Sequence, residues 1–322
     1  MYFAWHPWRS GGSTPTSSHE RAAGGDSAGG RTVGGETADA FVSPSDPSAS
    51  ARLLTQFRAA RTGAGRCAAA SALAPVADDE GTAALVSMAR VGRMDTRMCG
   101  VEALGLVPSD VARNWLWELT HDERFAVRKA AVEALAARRD DVQARSIVFE
   151  IAHDGEPELK LAAMLALAHA HAPEVNPLLL QALETADVRT EREIIGAIGD
   201  ARAPESLAVL TKIAQQGTAR GRSVAVEALG RLGTDEAALQ LSKLLLEAGT
   251  SDIRGVVTAL AQIGSPVAKK LLLEAAGHEQ SEVADAALMA LRDFIGDDVQ
   301  VRMRESLSSP SQRTREAAAA YF

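Results

Sequence analysis

One phrase recurs through this chain. VRKAAVEALAARRD begins at Val127, GRSVAVEALGRLG at Gly221 and the looser TRMCGVEALGLV at Thr96. Aligned on its last core residue, the phrase falls on Leu73, Leu104, Leu135, Leu167, Ile198, Leu229, Leu260, Leu291 and Phe322. Every step is 31 residues except one of 32, between Leu135 and Leu167. The residue before each anchor is Ala, from Ala72 to Ala290, until Tyr321 replaces it. A second apolar column lies twelve residues after each anchor, including Leu85, Leu116, Ile147, Leu179, Leu210 and Met303. Such a period is too long for a heptad pattern and too short for a domain.

Within each unit, apolar residues sit at offsets 0, −3, −4 and often −7 from the anchor, which is one face of a helix. The second column opens another amphipathic segment, as in ALQLSKLLLEA from Ala238. Gly, Pro, Asp and Ser separate the two segments, in GLVPSD, GDARAPE and RLGTDE. These are helix stops followed by N-caps, with Asp110, Ser206 and Thr234 near the starts. One such hairpin buries too little apolar surface by itself, and stacking buries it against its neighbours. The pattern therefore predicts an all-α, right-handed α-solenoid of about nine helical hairpins. It starts with an outer helix at about 49–61 and ends with an inner one at about 311–322. Ala before the anchor fits close approach between adjacent layers.

A helix such as LLLQALE, a turn, then V-R-x-x-A-x-x-A-L-G-x-L resembles the HEAT repeat. The closest likeness is to its short bacterial variety, the phycobilisome-lyase-type repeats. The resemblance covers about 48–322. It implies that the helix carrying the V-R-x-x-A-x-x-A-L phrase lines a concave face. It also implies an Asp and an Arg about six apart in the turn, a pattern that Asp122 with Arg128 fits and Asp154 with Lys160 fits less well. Ala284 interrupts that ladder.

Residues 1–48 are expected as a Gly/Ser/Thr-rich disordered tail, since SGGSTPTSSHERAAGGDSAGGRTVGGE has too little to bury. Ahead of it stand Tyr2, Phe3, Trp5 and Trp8, a short docking motif or an unstructured end. Residues 49–322 form the repeat domain. No run reaches the ~18 apolar residues of a membrane span. The N-terminus shows no export or acylation signal. Cytoplasmic residence is therefore expected, with Cys67 and Cys99 as reduced thiols.

Little in the sequence suggests catalysis. Glycines follow helix ends, GxGxxG and GxSxG are absent, and no Ser/His/Asp set can be assembled. His121-Asp122, His153-Asp154 and His278-Glu279 all occupy the turn between outer and inner helix, where they read as solvated turns or caps. The di-iron hydroxylases built from HEAT repeats carry His-Glu pairs about six residues before the anchor. The matching residues here, including Cys67, Met98, Lys129, Arg192 and Arg254, contain no His. No metal and no cofactor are expected. His169 and His171 read as an inner-helix end and its turn. Trp115 and Trp117 straddle Leu116, about 200° apart on the helix, so one should wedge between layers and the other be exposed.

The concave face carries the functional expectation. Offset −2 lies about 160° from the anchor and is the most exposed. It reads Ser71, Glu102, Glu133, Leu165, Gly196, Glu227, Thr258 and Met289. Offset +2 adds Leu106, His169, Asp200 and Arg231, and offset −6 adds Lys129, Arg192 and Arg254. Acidic, apolar and a few basic groups mixed in this way suit a protein surface better than a phosphate track. Net charge is −8. The first 50 residues hold 3 of the 34 basic and 5 of the 42 acidic side chains, leaving 31 against 37 in the repeats. A nucleic-acid groove needs the opposite balance. The expectation is a non-enzymatic scaffold that binds a protein partner through Glu102, Glu133, Leu165, Arg192, Glu227, Arg231, Arg254 and Met289. An exposed Trp115 or Trp117 would add a contact. The alternative is a chromophore-handling enzyme resembling the bilin lyases.

Overall fold

The computed structural model describes residues 47–246 and 252–322. The expected tail and its aromatic start fall outside these, apart from the first two positions of the first helix. Among the described residues there are eighteen α-helices, three short 3-10 turns and no strand. The odd-numbered helices are α1 (Pro47–Ala59), α3 (Asp79–Arg90), α5 (Asp110–Leu119), α7 (Val142–Asp154), α9 (Asn176–Glu184), α11 (Leu207–Gln216), α13 (Asp235–Leu246), α15 (Pro266–Ala275) and α17 (Asp297–Ser306). The even-numbered ones are α2 (Gly63–Leu73), α4 (Met94–Leu106), α6 (Phe125–Ala137), α8 (Pro157–His169), α10 (Val188–Ala201), α12 (Ala219–Leu232), α14 (Ile253–Ile263), α16 (Ser281–Leu291) and α18 (Gln312–Ala319).

Each odd helix packs on the even helix that follows it, and each even helix packs on the next even one. Successive odd helices touch less closely. A stack of hairpins bends toward the side where its layers are closer, so the even helices line the concave side of an α-solenoid.

The anchors explain why the hairpins stack. Leu73, Leu104, Leu135, Leu167, Ile198, Leu229, Leu260 and Leu291 are all buried in one continuous core. Burying each from water contributes about 1.5–3 kcal/mol. The ninth anchor departs from the pattern. Thr314, Ala317 and Ala318 of α18 are buried, but the helix stops at Ala319 and leaves Phe322 64% exposed. The second column holds at Leu85, Leu116, Leu179, Leu210 and Met303. It slips at Ile147, which is half-buried, while Val148 is fully buried. The extra residue of the 32-residue step thus lies in the connection between α6 and α7.

The Ala column packs each even helix against the preceding layer. A Cβ added at Gly199 would stand 2.6 Å from Ala228 Cα, and one at Gly230 would stand 2.9 Å from Ala259 Cα. Residues just after one anchor therefore meet the Ala just before the next. Ala72 has no preceding layer among the described residues and is exposed.

The caps follow the sequence in part. Ser109 and Thr234 accept from the backbone N–H of Ala112 and Ala237. Asp110, one place further in, pairs with Arg113 instead. Ser206 is no side-chain cap: its hydroxyl donates to Asn176 Oδ1 at 2.6 Å, joining the starts of α9 and α11.

Candidate interaction surface on the concave face

Polar side chains at the layer boundaries set the surface. Arg97 is buried, donates to the Ala89 carbonyl at 2.9 Å and pairs with Asp122 of the next unit. Arg128 donates to the Asp122 and Glu123 carbonyls and reaches Glu156 at 3.4 Å. The Asp122–Arg128 match read from the sequence is thus a backbone contact, and the Asp122 carboxylate serves the layer before it. Between α5 and α7, Asp141 accepts from the Ala144 N–H and pairs with Arg138 at 3.1 Å and Arg113 at 3.3 Å. Burial pushes the Asp141 carboxyl up, yet these donors outweigh it and hold the group below the usual carboxylate range.

The expected contact residues fall into two sets. Glu102, Glu133, Glu227, Arg192, Arg254 and Met289 are exposed on the even helices. Leu165 is half-buried against the core, and Arg231 is committed within the fold. Arg231 Nε lies 3.0 Å from Asp200 Oδ1, and its Nη2 donates to the Gly196 carbonyl at 3.2 Å. On the other side of Asp200, His169 Nε2 is 3.3 Å from Oδ2. His169, Asp200 and Arg231 therefore form a ladder across three layers at offset +2. The sequence column contains all three but does not show that they touch. His171 packs Nδ1 against the Asp200 carbonyl at 2.7 Å, in the left-handed conformation that Gly233 and Gly264 adopt in later units.

Glu102 and Glu133 occupy the same position in adjacent layers. Partial burial and then the charge of Glu133 raise the Glu102 carboxyl above its ordinary value. Lys129 lies 3.7 Å from Glu133, an exposed pair that offsets little. Leu106, 57% exposed, sits one turn from Glu102 on α4. Farther along, α14, α16 and α18 line an open groove of about 1310 Å³ that includes Arg254, Asp285, Met289, Arg313 and Glu316.

The remaining candidates lie off this face. Trp115 packs on the core beneath the Arg90 guanidinium, 5.3 Å from its ring, and Trp117 is exposed beside His121 on α5. The histidines of the turns make local contacts. His153 Nδ1 meets its neighbour Asp154 at 2.8 Å, and His278 Nδ1 accepts from the Gln280 N–H. Cys67 and Cys99, read in the sequence as separate thiols, are joined in a disulfide between α2 and α4. No helix among the described residues is long and apolar enough to cross a membrane.

Stacked hairpins with a continuous inner helical layer define an α-solenoid repeat protein. The family of HEAT repeats matches residues 50–136 and 144–230, and that of the PBS lyase HEAT-like repeat matches 222–247. The first matches more than half of the chain, which belongs to the HEAT-repeat family. No curated protein matches the sequence. Among solved structures, the chain is similar to YibA of Escherichia coli at 17% identity, covering 76% of this chain and 92% of that one, with a TM-score of 0.45. It is similar to the complex of CpcE and CpcF of phycocyanin lyase from Nostoc sp. PCC7120 at 18% identity, over 69% and 92%, with a TM-score of 0.41. It is also similar to human deoxyhypusine hydroxylase in complex with glycerol at 17% identity, over 75% and 94%, with a TM-score of 0.35.

Proposed function

We propose that this protein is a non-catalytic scaffold that captures a polypeptide segment along its concave face. The observation that carries this is the pair Glu102 and Glu133: carboxylates one layer apart, on the inner helices, with the Glu102 carboxyl raised by burial and by its neighbour. Negative charge that exposed Lys129 offsets only weakly is relieved by a partner's Lys or Arg, and exposed Leu106 beside it supplies an apolar contact. Glu227 repeats the acidic position on α12, beyond Leu165 on α8 and Gly196 on α10. Contacts spread over several layers suit recognition by shape and charge, with no reacting group required.

The test uses the full chain as bait. Glu102→Lys, Glu133→Lys and Glu227→Lys together should abolish capture of the partner that the wild type retains, without lowering the melting temperature. Capture that survives the triple change overturns the concave-face reading.

A further inference from the structure

We propose that the Cys67–Cys99 cystine is a redox-labile clamp holding the first hairpin, α1–α2, onto the rest of the solenoid. The two residues lie one layer apart, 32 positions apart in sequence, with Cα atoms 5.3 Å from each other. Both are half-buried, so a small thiol can reach the bond. They are the chain's two cysteines, so reduction leaves no third thiol to reshuffle with.

The clamp sits at the first layer boundary, where the polar tie differs from those behind it. Between the second and third layers, buried Arg97 pairs with Asp122, and Arg128 reaches Glu156 one layer on. One repeat before Asp122 the sequence places Val91, 71% exposed, where no carboxylate can receive a guanidinium. Between α1 and α3, Arg58 pairs with Glu80 with both side chains more than half exposed, and the Asp78 N–H donates to the buried Ser50 hydroxyl. Helix α2 itself buries few side chains. It carries Gly63 and Gly65 in its first turn and buries two residues, Ala70 and Leu73, whereas α6 buries seven. Among the described residues it has an inner-layer neighbour on one side, α4.

A dithiol opens the clamp by exchange. Its thiolate attacks one sulfur, the protein S–S bond breaks, and a second thiolate closes the reagent's own disulfide. Cys67 and Cys99 gain two electrons and two protons, and the dithiol loses them. The hairpin is then held by packing and non-covalent polar contacts such as Arg58–Glu80, and it exchanges with solvent faster than the layers behind it. A bond of this kind persists where thiols stay oxidised, in contrast to the reducing cytoplasm expected from the sequence.

The experiment is amide hydrogen exchange on the full chain, with and without dithiothreitol. Peptides covering 47–73 should exchange at least about tenfold faster after reduction, with α6 to α12 unchanged. Cys67→Ser with Cys99→Ser should show the fast pattern without reductant and respond no further to it. Protection of 47–73 that is unaffected by reduction overturns the proposal. So does peptide mapping under thiol-blocking conditions that finds both cysteines free in protein taken from its native source.

Discussion

Gly199 on α10 faces Ala228 on α12 so closely that a methyl group has no room between them. A Cβ at Gly199 would meet Ala228 Cα at 2.6 Å and its carbonyl at 2.8 Å. The same small-against-small contact joins Gly230 to Ala259 and Gly105 to Ala134. These contacts hold α4 on α6, α10 on α12 and α12 on α14 at close range.

Two effects compete in Gly199→Ala. Helix propensity favours Ala by about 1 kcal/mol. Overpacking against backbone costs about 1–3 kcal/mol, and the close neighbour here is a Cα with no rotamer to relax into. The variant should therefore be less stable than wild type in urea denaturation. A more stable variant would show that the layers separate freely.

Leu167→Ala should cost about 3–5 kcal/mol, the range for a fully buried leucine that leaves a cavity. Phe322→Ala, at the equivalent position of the last unit, should change stability by less than about 0.5 kcal/mol because the ring is exposed. Chemical denaturation of both variants checks the contrast.

Asp141 makes stability depend on pH in a definite direction. Its folded carboxyl lies below the ordinary value, so its contribution is present above the unfolded carboxylate range and is lost as pH falls through the folded value. Asp141→Asn should lower the melting temperature at neutral pH, and the gap from wild type should close as pH drops below about 4. A gap that does not depend on pH would show that the charge on Asp141 contributes nothing.

Glu102 has the opposite sign. Burial and Glu133 raise its folded carboxyl, so the native state binds its proton more readily and stability falls as pH rises through the carboxylate range. Glu102→Gln should give a small rise in melting temperature at neutral pH that disappears in acid. NMR titration of the wild-type side chain should show the raised value, and a bound cationic partner should bring it down.

Much of the fold is legible in the sequence because the core is periodic. The anchors of the first eight units, the Ala column and the second apolar column each recur at one place in a helical turn, and burial of those columns follows from the spacing alone. The exceptions have local causes: Ala72 has no preceding layer among the described residues, the 32-residue step displaces Ile147 in favour of Val148, and α18 ends before Phe322. The candidate surface was legible only as columns. Offset −2 identifies Glu102, Glu133 and Glu227 as exposed, but the same reasoning presents Arg231 as available when Asp200 and Gly196 already hold it.

Periodic side-chain chemistry alone dictated the helical hairpins, their stacking and the small residues between layers, since each column recurs at one place in every unit. Which polar groups and which sulfurs meet follows from the packing of one layer on the next: Arg97 with Asp122, His169 with Asp200 and Arg231, Cys67 with Cys99. These partners are about one repeat apart along the chain and a few ångströms apart in space. Their meeting is set by the separation and rotation between layers, which the packed seam fixes and a repeat length does not encode.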